Sequence, residues 1–190
     1  MDSMPEQPAP RSGSSATQLL RLWLYCWVQF LRLTLFISTP ARLPWNPALL
    51  VLSLAAYLLV GQWILGDSRP FSDILLQIGI EVGLLAAIGF IALRLQGHGE
   101  RFVQTLHALI GVNLVISLLS YPLIELLPDP MHNDQPNMLA MQLSLLLLVW
   151  NLAAISLIFR RSFEISTLFA AFLSFGYFLV YEWLLLQVFA

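Results

Sequence analysis

The chain contains no lysine: all nine of its basic residues are arginines. We read this as a compositional bias rather than as chemistry. Charge of either sign is scarce, at 11% of 190 residues, where soluble domains carry about 25%. A chain so poor in charge cannot cover a water-facing surface. There is one cysteine, Cys26, which excludes an internal disulfide and leaves no partner for a cysteine metal motif. No basic cluster with interleaved aromatics is present, so nucleic acid is not an expected partner. Nucleophile elbows, phosphate loops and paired metal-ligand motifs are also missing. His98, His107 and His132 lie on separate segments without ligand spacing, the first two expected on the cytoplasmic side. The expectation is a protein that is not an enzyme and needs no metal or cofactor.

What is present is apolar sequence. Hydrophobic residues make up 58% of the chain and the mean hydropathy is +0.78. The apolar residues cluster in runs near twenty, and a helix rising 1.5 Å per residue needs about that many to cross the roughly 30 Å hydrocarbon core. The expected fold class is an all-α membrane protein, a bundle of about five transmembrane helices preceded by an amphipathic interfacial helix. The spans are expected at about 48–65, 74–93, 105–126, 139–159 and 165–188. Turn residues punctuate them: Gly66 to Pro70, Gln96 to Gly99, Pro128 to Pro136, and the short Arg160-Arg161-Ser162 joint. Residues 1–17, rich in Pro, Ser and Gln, read as a disordered cytoplasmic tail and not as a cleaved signal peptide.

Residues 18–38 are apolar but striped. Gln18, Arg21, Tyr25, Gln29 and Arg32 recur at steps of three or four, and Trp23, Trp27 and Phe30 lie off that stripe. Two arginines at interior positions of a spanning helix would cost about 2.5–3.5 kcal/mol each. The segment is therefore expected to lie in the interface, anchored by Arg21, Trp23, Trp27 and Arg32. Pro40, Pro44 and Pro47 end it. With five spans and the N-terminus inside, Arg11, Arg21, Arg32, Arg42, Arg94, Arg101, Arg160 and Arg161 fall on one side and only Arg69 on the other. That bias predicts a cytoplasmic N-terminus and an external C-terminus in the inner membrane of a bacterium.

Three carboxylates fall inside or beside the spans, all toward the outer side: Glu81, Glu125 and Glu182. Asp73, Gln77 and Glu81 are spaced by four, as are Asn113, Ser117, Tyr121 and Glu125, so each set lines one helix face. Intramembrane acids are functional suspects as proton relays or cation sites. The candidate polar cavity comprises Glu81, Gln77, Glu125, Tyr121 and Glu182; the competing reading leaves Glu125 and Glu182 reaching headgroups or water. Gly79, Gly83 and Ala87 form a small-residue stripe for helix packing, expected within the bundle. Asn113 and Asn151, near mid-membrane, are expected to bond neighbouring helices.

The layout resembles the bacterial branch of the Yip-domain family of integral membrane proteins. The likeness rests on Ser38-Thr39-Pro40 with Pro44-Trp45-Asn46-Pro47 before five spans. It rests also on Phe102-Val103-Gln104-Thr105-Leu106 after the Gly97–Arg101 turn, on Pro122, and on Trp150-Asn151-Leu152. The acidic Tyr-Gly-Pro signature of eukaryotic members is absent, so GTPase-linked trafficking roles do not carry over and no site residues transfer. The expected function is a scaffold or accessory subunit for another membrane protein. The alternative is a small transporter or lipid-handling protein using the outer-leaflet carboxylates. Expected partners are the lipid bilayer and another membrane protein, or a second copy of this chain.

Overall fold

The computed structural model describes residues 15–124, 126 and 137–189. Glu125 and most of the expected tail lie outside the described residues. Six α-helices account for nearly all the rest: α1 Ser15–Thr34, α2 Pro47–Leu65, α3 Phe71–Leu95, α4 Phe102–Ile124, α5 Met138–Phe163 and α6 Thr167–Phe189. Five of them, α2 to α6, are long and apolar enough to cross a membrane. No strand occurs among the described residues.

The helix ends follow local chemistry. Asn46 caps α2 by accepting a hydrogen bond from the Ala48 N–H at 2.9 Å, with Pro47 in the first turn where its missing N–H costs nothing. Asn137 caps α5 through the Ala140 N–H at 3.2 Å. Gly97, at φ +75, ends α3, with the His98 N–H reaching back to the Leu93 carbonyl. The joint expected at Arg160-Arg161-Ser162 is instead the last turn of α5, and the break comes at Glu164, at φ 54. Two arginines suit a helix C-terminus, where they face its negative dipole end. The Ser162 hydroxyl, bonded to Thr105 at 3.0 Å, fixes that turn against α4.

The core is organised around α4. In its apolar centre 67% of residues are buried, against 17% to 28% in the other spans. An unbroken run from Thr105 to Ile116 is inaccessible on every side, so α4 is a buried post with α1, α2, α3 and α5 around it and α6 packed on α5 and α3. The starts of α2, α4 and α6 and the ends of α3 and α5 meet at one end of the bundle. Gln104 donates there to the Leu43 carbonyl at 2.9 Å, and Arg101 pairs with Glu164 at 2.6 Å. The Arg101 hydrogen bond holds the exposed Glu164 carboxyl below its usual range. We call this the arginine end; Arg69 sits at the other.

The helix α1 does not stay at the arginine end. Its Tyr25 hydroxyl bonds the Arg42 carbonyl there, at 3.2 Å. Five residues on, the Phe30 ring meets His107 (centroids 5.2 Å apart) and lies over Gly111, ten residues into α4. The Thr34 carbonyl receives the indole N–H of Trp150, halfway along α5, at 2.8 Å. The chain then turns back, with Phe36 left-handed at φ 64 and stacked on Trp150, and a 3₁₀ turn at Pro40–Arg42 returns it to the arginine end. Three faces result. Cys26, Phe30 and Leu33 are buried, Leu20, Leu24, Leu31 and Leu35 form an exposed apolar strip, and Arg21, Tyr25 and Arg32 form an exposed polar one. The expected anchors therefore divide: Arg21 and Arg32 are exposed, whereas Trp23 and Trp27 pack against the core. Gln29, expected on the polar stripe, is buried and accepts from the Ser38 hydroxyl at 2.6 Å, which ties the descending and returning strands of the turn together.

Gly111 is what lets α1 in, because a Cβ there would come within 2.1 Å of the Phe30 ring. Gly111→Ala is expected to destabilise the protein by about 1–3 kcal/mol, the usual cost of overpacking. The readout is a lower thermal midpoint in mild detergent, partly restored by adding Phe30→Leu. An unchanged midpoint would show that α1 does not depend on this contact.

Candidate functional site

The face of α3 turned to the bundle is set by its periodicity: Ile74, Ile78, Glu81, Leu85, Gly89 and Leu93 are all buried. Glu81 is the one acid among them, with 9% of its surface accessible. It sits where α2, α3 and α4 meet. The Tyr57 hydroxyl of α2 donates to its Oε2 at 2.6 Å, and the Asn113 amide of α4 donates to its Oε1 at 2.6 Å. Each carboxylate oxygen therefore has its own donor from a different helix. The Asn113 Oδ1 has no hydrogen-bond partner among the described residues.

Polar contacts continue from Glu81 toward the end opposite the arginines. One turn away on α3, Gln77 accepts from Arg69 at 3.0 Å and donates to the Tyr181 hydroxyl of α6 at 3.3 Å. Tyr181 is stacked on Tyr177, with centroids 6.1 Å apart. A cavity of about 110 Å³ connects these levels, lined by Tyr57, Gly61, Gln77, Glu81, Ser117 and Ser120 with several aliphatic residues. In the other direction, four residues back on α2, Ser53 and the fully buried His107 hydrogen-bond at 2.9 Å. The sequence put His107 on the cytoplasmic side. It lies inside the bundle because α4 begins at Phe102 and is buried from Thr105 onward.

The sequence-derived candidates thus separate. Glu81 and Gln77 share the cavity. Tyr121 stacks on Trp63 at 4.3 Å and lines a neighbouring pocket with Gln62 and Asp67. Glu182 is exposed on α6, and Glu125 lies outside the described residues. Gly79, Gly83 and Ala87 are exposed on the far side of α3, with nothing within 4 Å of a Cβ added at either glycine. This corrects the expectation that they pack within the bundle: Glu81 takes the inward face, and a residue two positions away is rotated by about 200°. Tyr57 was missed. Its signal was there, since Leu49, Ser53 and Tyr57 are spaced by four on α2 and all face inward.

Five apolar spans, one of them a buried post among the others, define the class: this is an α-helical, multi-pass membrane protein. No family model, curated protein or solved structure matches the chain.

The two donors act on one carboxylate, which makes their contributions interdependent. Tyr57→Phe and Asn113→Leu are each expected to cost about 1–3 kcal/mol, the penalty of stranding a buried partner. Together they should depart from the sum, because both bonds end on the same carboxylate. Thermal or denaturant unfolding of the two single variants and the double variant measures this. Strict additivity would mean that the bonds are not coupled through Glu81.

Proposed function

We propose that the working group of this protein is the Glu81 carboxyl, a proton- or small-cation-binding site of the kind a small transporter or lipid-handling protein uses. The observation that carries the reading is a buried carboxylate held on both oxygens by Tyr57 and Asn113, lining a small, mainly aliphatic cavity that also holds Gln77, Ser117 and Ser120. Among the described residues no arginine or histidine bonds it. An isolated charge at such depth is costly, so a proton or a cation is the natural counterpart. Asn113 supports either. Its spare Oδ1 can ligate a cation, and rotation of the amide presents an acceptor to a protonated carboxyl.

The cavity runs toward the end that carries Arg69, Asp67 and Asp73, away from Arg42, Arg94, Arg101, Arg160 and Arg161. By the positive-inside rule the arginine end is cytoplasmic and the Glu81 cavity belongs to the external half. We place the protein in a bacterial inner membrane on that basis, with the N-terminus inside and the C-terminus outside. Infrared difference spectra of the purified protein between two pH values, or with and without sodium or potassium, should show a carboxyl signal that Glu81→Gln removes. Glu182→Gln, on the exposed face of α6, should leave it. Persistence of the whole signal in Glu81→Gln would sink the reading.

A second reading, the scaffold or accessory subunit to which the Yip-domain likeness leads, is favoured by a separate observation. The strip Gly79, Gly83 and Ala87 is exposed along α3, and small residues of this kind let another helix approach closely in lipid. Gly83→Cys in a Cys26→Ser background is expected to cross-link to a second copy or to another membrane protein in intact membranes. If cross-linking is no greater than for a cysteine at Phe172, on the exposed side of α6, this face has no partner.

A further inference from the structure

An open groove runs between α5 and α6, with Phe36 at one wall. Its lining is almost wholly apolar, including Val149, Leu152, Leu157, Ala171 and Phe175, and its volume is about 550 Å³. Along α5 it extends from Val149 to Arg160. Eleven residues at 1.5 Å each make about 16 Å, half of the roughly 30 Å hydrocarbon core. The groove is thus as deep as one leaflet, starting at the arginine end.

Its mouth is polar. Arg160 lines both the groove and a second pocket of about 380 Å³, which also includes Thr39, Arg101, Gln104, Arg161 and Glu164. Three arginines face one carboxylate there. Arg101 is committed to Glu164 at 2.6 Å. Arg161 donates to the carbonyls of Ser38 and Phe36. Arg160 is exposed and makes no hydrogen bond or ion pair with another described residue.

We propose that this combination is a site for one anionic glycerophospholipid of the leaflet on the arginine side. The phosphate sits on Arg160 and one acyl chain fills the groove between α5 and α6. Charge and shape each argue for this occupant. The pocket carries an excess of positive charge with one uncommitted guanidinium, and a guanidinium suits phosphate oxygens. The apolar channel below it has a leaflet's depth, which a free phosphate would leave unused. Phe36 connects the site to α1, because the left-handed turn that stacks it on Trp150 also makes it a wall of the groove. This inference does not depend on the role of Glu81.

The test is native mass spectrometry of the full chain released from bilayer discs of phosphatidylcholine with increasing phosphatidylglycerol. One retained phosphatidylglycerol per protein is expected. Arg160→Gln should lower its preference over phosphatidylcholine by about fivefold, the size of one basic residue's interaction with an anionic surface. Ala153→Trp, which fills the groove, should abolish retention of either lipid, and Arg94→Gln should change nothing. Thermal midpoints confirm that each variant is folded. Equal retention of the two lipids by the unaltered protein would overturn the proposal. So would unchanged retention in both Arg160→Gln and Ala153→Trp. Displacement of the lipid by inorganic phosphate alone would mean a headgroup anion site without a chain site, and would overturn it as well.

Discussion

Hydrocarbon offers no hydrogen bonds, and this constraint governs the turn that follows α1. Helices satisfy their own backbone; turns do not. The turn after α1 reaches the level of Trp150, midway along α5, so its carbonyls need partners from the protein. The Leu31, Arg32 and Leu33 carbonyls receive the N–H groups of Leu35, Ile37 and Phe36. The Thr34 carbonyl receives the Trp150 indole, and those of Phe36 and Ser38 receive Arg161. No carbonyl from Leu31 to Thr34 is left open at the end of this helix. The geometry is the one that Gly97 adopts at the end of α3, but with a phenylalanine in the glycine's place. Left-handed backbone costs a side-chain-bearing residue roughly 1–2 kcal/mol, and stacking of the Phe36 ring on Trp150 offsets it.

The buried post α4 follows from the same constraint. A helix enclosed on all sides depends on its neighbours to answer its polar side chains, and each of the three here finds one partner. His107 is answered by Ser53, Thr105 by Ser162, and Asn113 by Glu81. Small residues set the spacing: Gly111 admits Phe30, and Gly61 on α2 faces the end of Ile78, 2.7 Å from where its Cβ would be. The polar groups and the close approaches are thus two halves of one arrangement. Short distances between helix axes are what bring Tyr57, Glu81 and Asn113 to within hydrogen-bonding reach.

Much of this was legible in the sequence, for a physical reason. Spanning length is a one-dimensional property, so runs of apolar residues located α2 to α6 to within about four residues. The periodicity of Asp73, Gln77 and Glu81 likewise placed an acid on one face of α3. What one dimension does not encode is which face looks inward. In an aqueous protein polarity answers that question, but in lipid both faces of α3 are apolar apart from a few residues. Gly79 and Gly83 therefore read as equally good packing residues on either side. The descent of α1 was hidden for a related reason: its stripe of Arg21, Tyr25 and Arg32 is real and exposed, but Gln29, at the same spacing, turns inward to Ser38.

The two ends of the bundle are chemically unlike, and that asymmetry connects the site to the topology. At the arginine end several side chains are spent on structure: Arg101 on Glu164, Arg161 on the turn after α1, Gln104 on Leu43. The opposite half holds the groups that answer one another across the cavity, from Arg69 through Gln77 and Tyr181 toward Tyr57, Glu81 and Asn113. The helix α1, descending from the arginine end as far as Gly111, covers its own side of α4, while the Glu81 cavity lies between α2, α3 and α4 and extends toward the far end. A carboxylate placed on α3 one helical turn beyond Gln77 is therefore continuous with the polar groups of the far half. Both halves are thus hydrogen-bonded, but the arginine-side bonds fasten α1 and the helix ends, whereas the far-side bonds converge on one carboxylate.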